Sequence, residues 1–336
     1  MNYRVTLLKG DGIGPEVISS VCQIFNAARS PIEWEEMPAG AGAVDEFGLP
    51  MPEITLNSIR KNRLGLKGPL MTPKGKGFGS ANVALRKALN LYVGLRPVKS
   101  LPGVKTPYKN VDIVLFRENT EDLYSGIEHE VLPGTVITIK TSTQKAAKKI
   151  AHWGFEYMRY EGRRKVHCCH KAPIVPMADG AFLDAFKDVA SEYPYIQSED
   201  IFVDNLAMAL AMNPDNFDVL LLQNLYGDII SDLAGGLVGG LGVVPGANIG
   251  DRIAVFEAVH GTAPDIAGQG KANPLAILNS ALLLLRYVGE RKIADRIERA
   301  VFDVLEEGVY LTADLCEDRS KGVPTQTFTD AIIDKL

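Results

Sequence analysis

Short apolar runs and longer helical stretches alternate along most of this chain, and that alternation limits the fold more than any other feature. Residues 4–8 read as a strand. Residues 15–28 read as a helix with Pro15 in its first turn, where a missing amide hydrogen costs nothing. Residues 112–116 are a further apolar strand, 143–160 are helical, and 165–170 are strand-like again. A helix at 178–192, a strand at 200–203 and a helix at 205–212 follow. A strand at 218–222, a short apolar run at 254–257 and a helical pair at 274–288 and 291–308 complete the series. Apolar strands separated by helices call for a sheet covered on both faces. The expected class is α/β, with a doubly wound sheet.

Between Leu123 and Lys140 the period changes. Alternating β-branched residues, Val136-Ile-Thr-Ile-Lys140, follow a turn at Pro133-Gly134. This reads as a hairpin outside the main sheet. Its edge is free to pair with a second copy, or it is an ordinary surface hairpin.

A chain of 336 residues implies two domains or one large doubly wound unit. The net charge of -5 argues against nucleic acid or an anionic membrane as partner. The apolar stretch 275–288 is too short to span a bilayer and carries Asn279 and Arg286. The N-terminal residues enter a strand directly and lack the charged start and apolar core of a signal peptide. With only four cysteines there is no disulfide framework, so the expected location is the cytoplasm. The contiguous run His167-Cys-Cys-His170 sits in a strand, whose side chains alternate between faces, so it cannot chelate one ion by itself.

Four segments carry chemistry. In Asn224-Leu-Tyr-Gly-Asp-Ile-Ile-Ser-Asp232, a buried strand precedes a turn at Gly227 and then a helix. Asp228 and Asp232 are four apart and share a helical face. Hard oxygens in small number suit Mg²⁺ or Mn²⁺, though a solvated helix start also favours Asp. The second segment, Lys9-Gly-Asp-Gly-Ile-Gly-Pro-Glu16, begins like a dinucleotide fingerprint but puts Pro15 where the third glycine belongs. An ordinary Rossmann domain is therefore disfavoured, although the glycines still bring backbone close to something.

The third is a Gly/Pro-rich loop from Lys67 to Asn82, leading into a helix over 83–91. Ser80 and Asn82 at the helix start make a site for an anionic oxygen. Arg86 lies one turn on, Arg96 follows the helix, and Arg117 ends the strand at 113–116. Three arginines at the ends of elements fit a polycarboxylate or a phosphate, or three separate surface ion pairs. Tyr124 and Lys171 each follow a strand and are candidates for proton transfer. The fourth segment is the loop His260-Gly-Thr-Ala-Pro-Asp-Ile-Ala-Gly268, followed by Asn273-Pro274. Asp265 suits the ribose hydroxyls of a dinucleotide if the loop holds one.

Taken together, these motifs resemble those of the β-decarboxylating dehydrogenases, which comprise isocitrate, homoisocitrate, 3-isopropylmalate and tartrate dehydrogenases. The resemblance runs from Gly10 nearly to the end. Ser80-Ala-Asn-Val-Ala-Leu-Arg86 and the segment from Arg117 to Glu128 look like the isocitrate enzymes, and Asp265-Ile266 like the NAD-using branch. The resemblance implies a large cofactor-binding domain (1–91 and 239–336), a small substrate, metal and dimerisation domain (92–121 and 144–238), and a clasp hairpin (122–143). It implies that Ser80, Asn82, Arg86, Arg96 and Arg117 hold substrate carboxylates. Asp228 and Asp232, with Asp204 of a second copy, would hold Mg²⁺ or Mn²⁺. Lys171, also from the second copy, would act at the hydroxyl proton, and Tyr124 would protonate the product carbon. Thr72, Glu257, His260, Gly261, Thr262, Ala263, Asp265, Ile266 and Asn273 would contact NAD. The expected activity is oxidative decarboxylation of isocitrate by a homodimer with shared sites, or by a tetramer. The alternatives are a homoisocitrate or other malate-type enzyme and a ligand-binding regulatory subunit. One departure stands out: the family usually reads His-Lys-Ala-Asn where this chain reads His170-Lys171-Ala172-Pro173.

Overall fold

The computed structural model describes residues 2–71 and 79–336. In chain order it contains β1 (Tyr3–Leu8), α1 (Gly14–Ala27), β2 (Ile32–Glu36), α2 (Ala41–Phe47), α3 (Glu53–Asn62), β3 (Leu64–Lys67), α4 (Ala81–Ala88), β4 (Val93–Lys99) and β5 (Asp112–Glu118). A hairpin of β6 (Glu128–Leu132) and β7 (Thr135–Thr138) follows. Then come α5 (Gln144–Glu161), β8 (Lys165–His170), α6 (Ala178–Ala190), β9 (Gln197–Phe202), α7 (Val203–Met212), β10 (Val219–Leu222) and α8 (Asn224–Leu237). The chain ends with β11 (Pro245–Ile249), β12 (Ala254–Ala258), α9 (Leu275–Tyr287), α10 (Arg291–Glu307) and α11 (Thr325–Ile333).

Ten strands form one sheet in the order β2-β1-β3-β12-β11-β4-β5-β10-β8-β9. The strands from 1–91 and 239–336 make one half, and those from 92–238 make the other. The outer pairs of both halves are parallel. At the centre, β12–β11, β11–β4 and β4–β5 are antiparallel. An ordinary Rossmann sheet is parallel through its middle, so the misfit seen in the Gly10 segment has a topological counterpart. In the middle strands Ile113, Leu115, Val219, Leu220 and Leu222 are fully buried, as their apolar runs require. The β6–β7 hairpin stands apart as its own two-stranded sheet, and every residue of both strands is exposed.

Two expectations need correction. Gly227 does not make a turn; α8 begins at Asn224 and runs straight through it. A Cβ at Gly227 would lie 2.5 Å from Arg117 Cγ, so the glycine lets the arginine cross the helix. The strand expected at 200–203 is β9 and ends at Phe202, and Asp204 falls in the first turn of α7. As an edge strand with polar, exposed residues, β9 has no apolar run to mark its start.

Candidate active site

A cavity of about 240 Å³ opens where the sheet halves meet. Lys67, Ser80, Asn82, Arg86, Arg96, Arg117, Tyr124, Asp228, Asp232, Glu257, His260 and Gly261 line it. Each arrives for a local reason. Ser80 is the N-cap of α4, and its hydroxyl accepts from the Val83 amide at 3.4 Å. Arg86 comes from the last turn of the same helix. Arg96 sits in the middle of β4, not at the end of an element as expected, and Arg117 near the end of β5. These two strands are antiparallel neighbours, so both guanidinium groups reach one cavity.

Three of the four cations have partners. Lys67 Nζ and Arg86 Nη2 donate to the two oxygens of Glu257 at 2.8 and 2.9 Å. Asn248 adds a third donor at 2.6 Å. Burial alone would raise the Glu257 pKa, but Lys67 and Arg86 outweigh it and hold the carboxyl well below its ordinary range. Arg117 places Nε and Nη2 on Asn224 Oδ1 at 3.0 and 2.7 Å and Nη1 on Asp228. Arg96 is buried and has no ion-pair partner among the described residues. Burial, and then repulsion from Arg117 and Arg86, depress its pKa to about 10.

Nearby polar atoms are likewise unsatisfied. Asn82 Oδ1, Arg86 Nε and His260 Nε2 are buried without a hydrogen-bond partner among the described residues. Buried polar atoms are nearly always paired. The orphaned donor Arg86 Nε beside an uncompensated arginine suits an anionic oxygen. The acceptors Asn82 Oδ1 and His260 Nε2, whose Nδ1 faces the Gly261 carbonyl, suit a ligand hydroxyl or N–H.

The opposite wall carries the acids. The Tyr124 hydroxyl donates to Asp228, and its ring lies 5.0 Å from the Arg117 guanidinium. Burial, then the bond to Asp228, raises the Tyr124 pKa, so the phenol keeps its proton. At Asp228 burial acts upward, but Arg117 and the Tyr124 bond prevail and lower the pKa. Burial raises the Asp232 pKa and Asp228 adds to it, while Arg96 opposes both. An acid with a raised pKa beside an ionised one is a pair that a divalent cation relieves.

Lys171 and Asp204 lie elsewhere. Lys171 follows β8, and its ammonium bonds Asp204 in the first turn of α7. Neither lines the cavity. Among the described residues no three His, Cys, Asp or Glu side chains of one chain converge on a metal position, so a single chain brings together Asp228 and Asp232 but not Asp204. Pro173 occupies the turn after Lys171, where the amides of Ile174 and Val175 close on the Lys171 carbonyl at 2.9 and 3.0 Å.

Of the expected dinucleotide residues that are described, only Glu257, His260 and Gly261 line the cavity. The Glu257 carboxylate is committed to Lys67 and Arg86, so its observed task is to position them. Thr262 accepts the Ile13 amide at 3.0 Å, and Ala263 has a positive φ of 39°. Asp265 is exposed, Ile266 half-buried. Asn273 donates to Asp314 at 2.9 Å and caps α9 through Leu275. Thr72 lies outside the described residues.

Sequence reasoning missed Lys67 and Asn224 as site residues. Lys67 closes the fully buried strand β3, and a lysine at the end of an apolar run just before Gly-Pro was the available signal. Asn224 carries no such mark; only the position of Arg117 shows its use.

A sheet of this order with a buried polyanion cavity defines a class of α/β enzymes, and comparison with known proteins gives the family. The family model described as isocitrate/isopropylmalate dehydrogenase matches residues 4–332. The probable mitochondrial NAD isocitrate dehydrogenase subunit alpha of Drosophila melanogaster is 49% identical over 99% of this chain and 87% of its own length. The chloroplastic 3-isopropylmalate dehydrogenase of Solanum tuberosum is 49% identical over 91% of this chain and 86% of its own length. The crystal structure of isocitrate dehydrogenase from Methylococcus capsulatus has a TM-score of 0.95 at 44% identity, covering 100% of this chain and 99% of that one. The chain belongs to the isocitrate/isopropylmalate dehydrogenase family and is an oxidoreductase.

Proposed function

We propose that the protein oxidises isocitrate to 2-oxoglutarate and CO₂ with NAD as hydride acceptor, in a reaction that requires Mg²⁺ or Mn²⁺. One observation carries this reading. Arg96 is a buried, uncompensated cation beside the orphaned Asn82 Oδ1 and Arg86 Nε, facing a pair of aspartates across about 240 Å³. Such a cavity suits a small polycarboxylate that also bears a hydroxyl. A third carboxylate is met by Ser80 and Asn82, where an alkyl substituent would leave these polar groups unpaired.

Arg86, Arg96 and Arg117 orient the carboxylates, and burial makes each contact stronger than it would be in water. Asp228 and Asp232 would hold the divalent cation, with Asp204 of a second chain as third ligand. When bound, the cation polarises the substrate oxygen and the nicotinamide accepts the hydride. Lys171 of the second chain, paired with Asp204, assists removal of the hydroxyl proton. Loss of CO₂ then leaves an enolate, and Tyr124, kept protonated by burial, gives its proton to the carbon.

A shared site requires an oligomer. Exposed Ile229 and Leu233 on α8, Met208 and Met212 on α7, and Leu132 and Val136 on the hairpin support an apolar interface around Asp204 and Asp228. The proposed assembly is a homodimer or a tetramer, although the Drosophila relative is named as an alpha subunit. Four free cysteines, two of them fully buried, fit a reducing cytoplasm as its home. The 49% identity to a 3-isopropylmalate dehydrogenase keeps a related 2-hydroxy acid as the second reading. The chain purified alone should release NADH and CO₂ from isocitrate, and chelation of divalent cations should stop both. Turnover only after adding another subunit would instead make this a regulatory chain.

A further inference from the structure

The glycines of Lys9-Gly-Asp-Gly-Ile-Gly-Pro-Glu16 approach protein backbone. A Cβ at Gly10 would lie 2.3 Å from the Pro69 carbonyl oxygen, and one at Gly12 would lie 2.0 Å from that of Thr262. Pro69 lies in the loop after β3, and Thr262 in the loop between β12 and α9. Both loops contribute cavity residues, Pro69 and Leu70 from one and His260 and Gly261 from the other.

The segment holds the first loop firmly. The Asp11 amide donates to Pro69 at 2.8 Å, and the Asp11 carboxylate accepts from Met71 at 2.7 Å and from Ala41 at 2.8 Å. It pins the second loop at two places. The Ile13 amide donates to Thr262 at 3.0 Å. Further along, the Glu16 carboxylate accepts from the Gly270 amide at 3.2 Å and the Ala272 amide at 2.8 Å. The Thr325 hydroxyl lies within reach of both Glu16 and the Ala272 carbonyl, and the Thr325 amide donates to Gly270 at 2.8 Å. Asp265 and Ile266 lie between the two pins, and Asn273 directly follows the second.

We propose that Glu16 is a positioning residue for the dinucleotide: from behind the loop it fixes the 263–273 segment in its binding shape. This rests on the reading that the loop holds a dinucleotide. Glu16 lies on α1 and touches none of the cavity's cations, so substrate carboxylates do not depend on it. Its bonds to backbone amides are charge-assisted, and their loss frees a loop that binding must then order again. A purely structural carboxylate would lower thermal stability and leave affinities alone.

The test uses the full chain carrying Glu16→Gln, with Glu16→Ala as the stronger variant. Binding of NAD and of NADP is measured by calorimetry, steady-state constants are taken for dinucleotide and isocitrate, and thermal unfolding is followed in parallel. For the dinucleotide that the wild type prefers, Kd and KM should rise about tenfold, the scale of losing a charge-assisted bond. At saturating dinucleotide, kcat and the KM for isocitrate should stay within about twofold of wild type. Unchanged dinucleotide Kd with a lowered melting temperature would overturn the role of Glu16 and leave the enzyme reading intact. An equal rise in the isocitrate KM would overturn it as well. A wild type that binds neither dinucleotide overturns both.

Discussion

At the scale of single residues, charge compensation decides what each group can do. Glu257 pairs with both Lys67 and Arg86 from within the sheet, while Arg96 is left for a ligand. Glu257→Gln would leave two buried cations unpaired, and denaturant unfolding should show a loss of about 3–5 kcal/mol. A value near zero would mean that the pairs are not formed in solution. Asp228→Asn removes the charge on which Arg117 and Tyr124 both converge, and kcat should fall about 10²–10³-fold or more. Asp232 makes a pH prediction with a definite sign. Its folded-state pKa is raised, so it favours folding below its ordinary pKa, and that contribution is lost as pH rises through the raised value. A divalent cation needs the ionised form and should reverse the loss. Thermal unfolding with Mg²⁺ against chelator should therefore show stabilisation at neutral pH that fades as pH falls through the raised Asp232 value, above the ordinary Asp range. Stabilisation independent of pH would remove Asp232 from the metal site.

Elements differ in how plainly the sequence announces them. Buried strands such as β5 and β10 contain continuous apolar runs and are legible at once. Strand β4 was not, because Arg96 and Pro97 interrupt it; the arginine that hides the strand is the one the site requires. Strand β11 was hidden too, since Pro245-Gly-Ala-Asn-Ile249 has little apolar length, and Asn248 is there to bond Glu257. Most site residues were readable as types, since the Ser80, Arg86, Arg117 and Asp228 segments carry recognisable motifs. Their partners were not, because pairs such as Lys67–Glu257 and Asn224–Arg117 join positions more than a hundred residues apart. The loop between β12 and α9 yields its own prediction. Asp265 is exposed and anionic, so it repels a 2′-phosphate. Asp265→Lys combined with Ile266→Tyr should shift the ratio of catalytic efficiencies toward NADP, and an unchanged ratio would remove the loop from cofactor choice.

At the scale of the whole molecule, the separation of Lys171 and Asp204 from the cavity makes one chain incomplete on the proposed mechanism. Complementation tests this. Asp228→Asn and Lys171→Met variants, each inactive alone, should recover activity when co-expressed. Random pairing makes half of the dimers mixed, each with one intact site, so about a quarter of wild-type activity should return. No recovery, with mixed dimers shown to form, would place all catalytic groups in one chain. A steady-state comparison of candidate substrates tests the proposed reaction. With NAD and Mg²⁺ present, kcat/KM is measured for isocitrate, homoisocitrate and 3-isopropylmalate on the same preparation. Isocitrate should give the highest value: Ser80 and Asn82 meet a third carboxylate that 3-isopropylmalate lacks, and homoisocitrate must fit one more methylene into the cavity of about 240 Å³. A higher value for homoisocitrate or 3-isopropylmalate would contradict the proposed reaction.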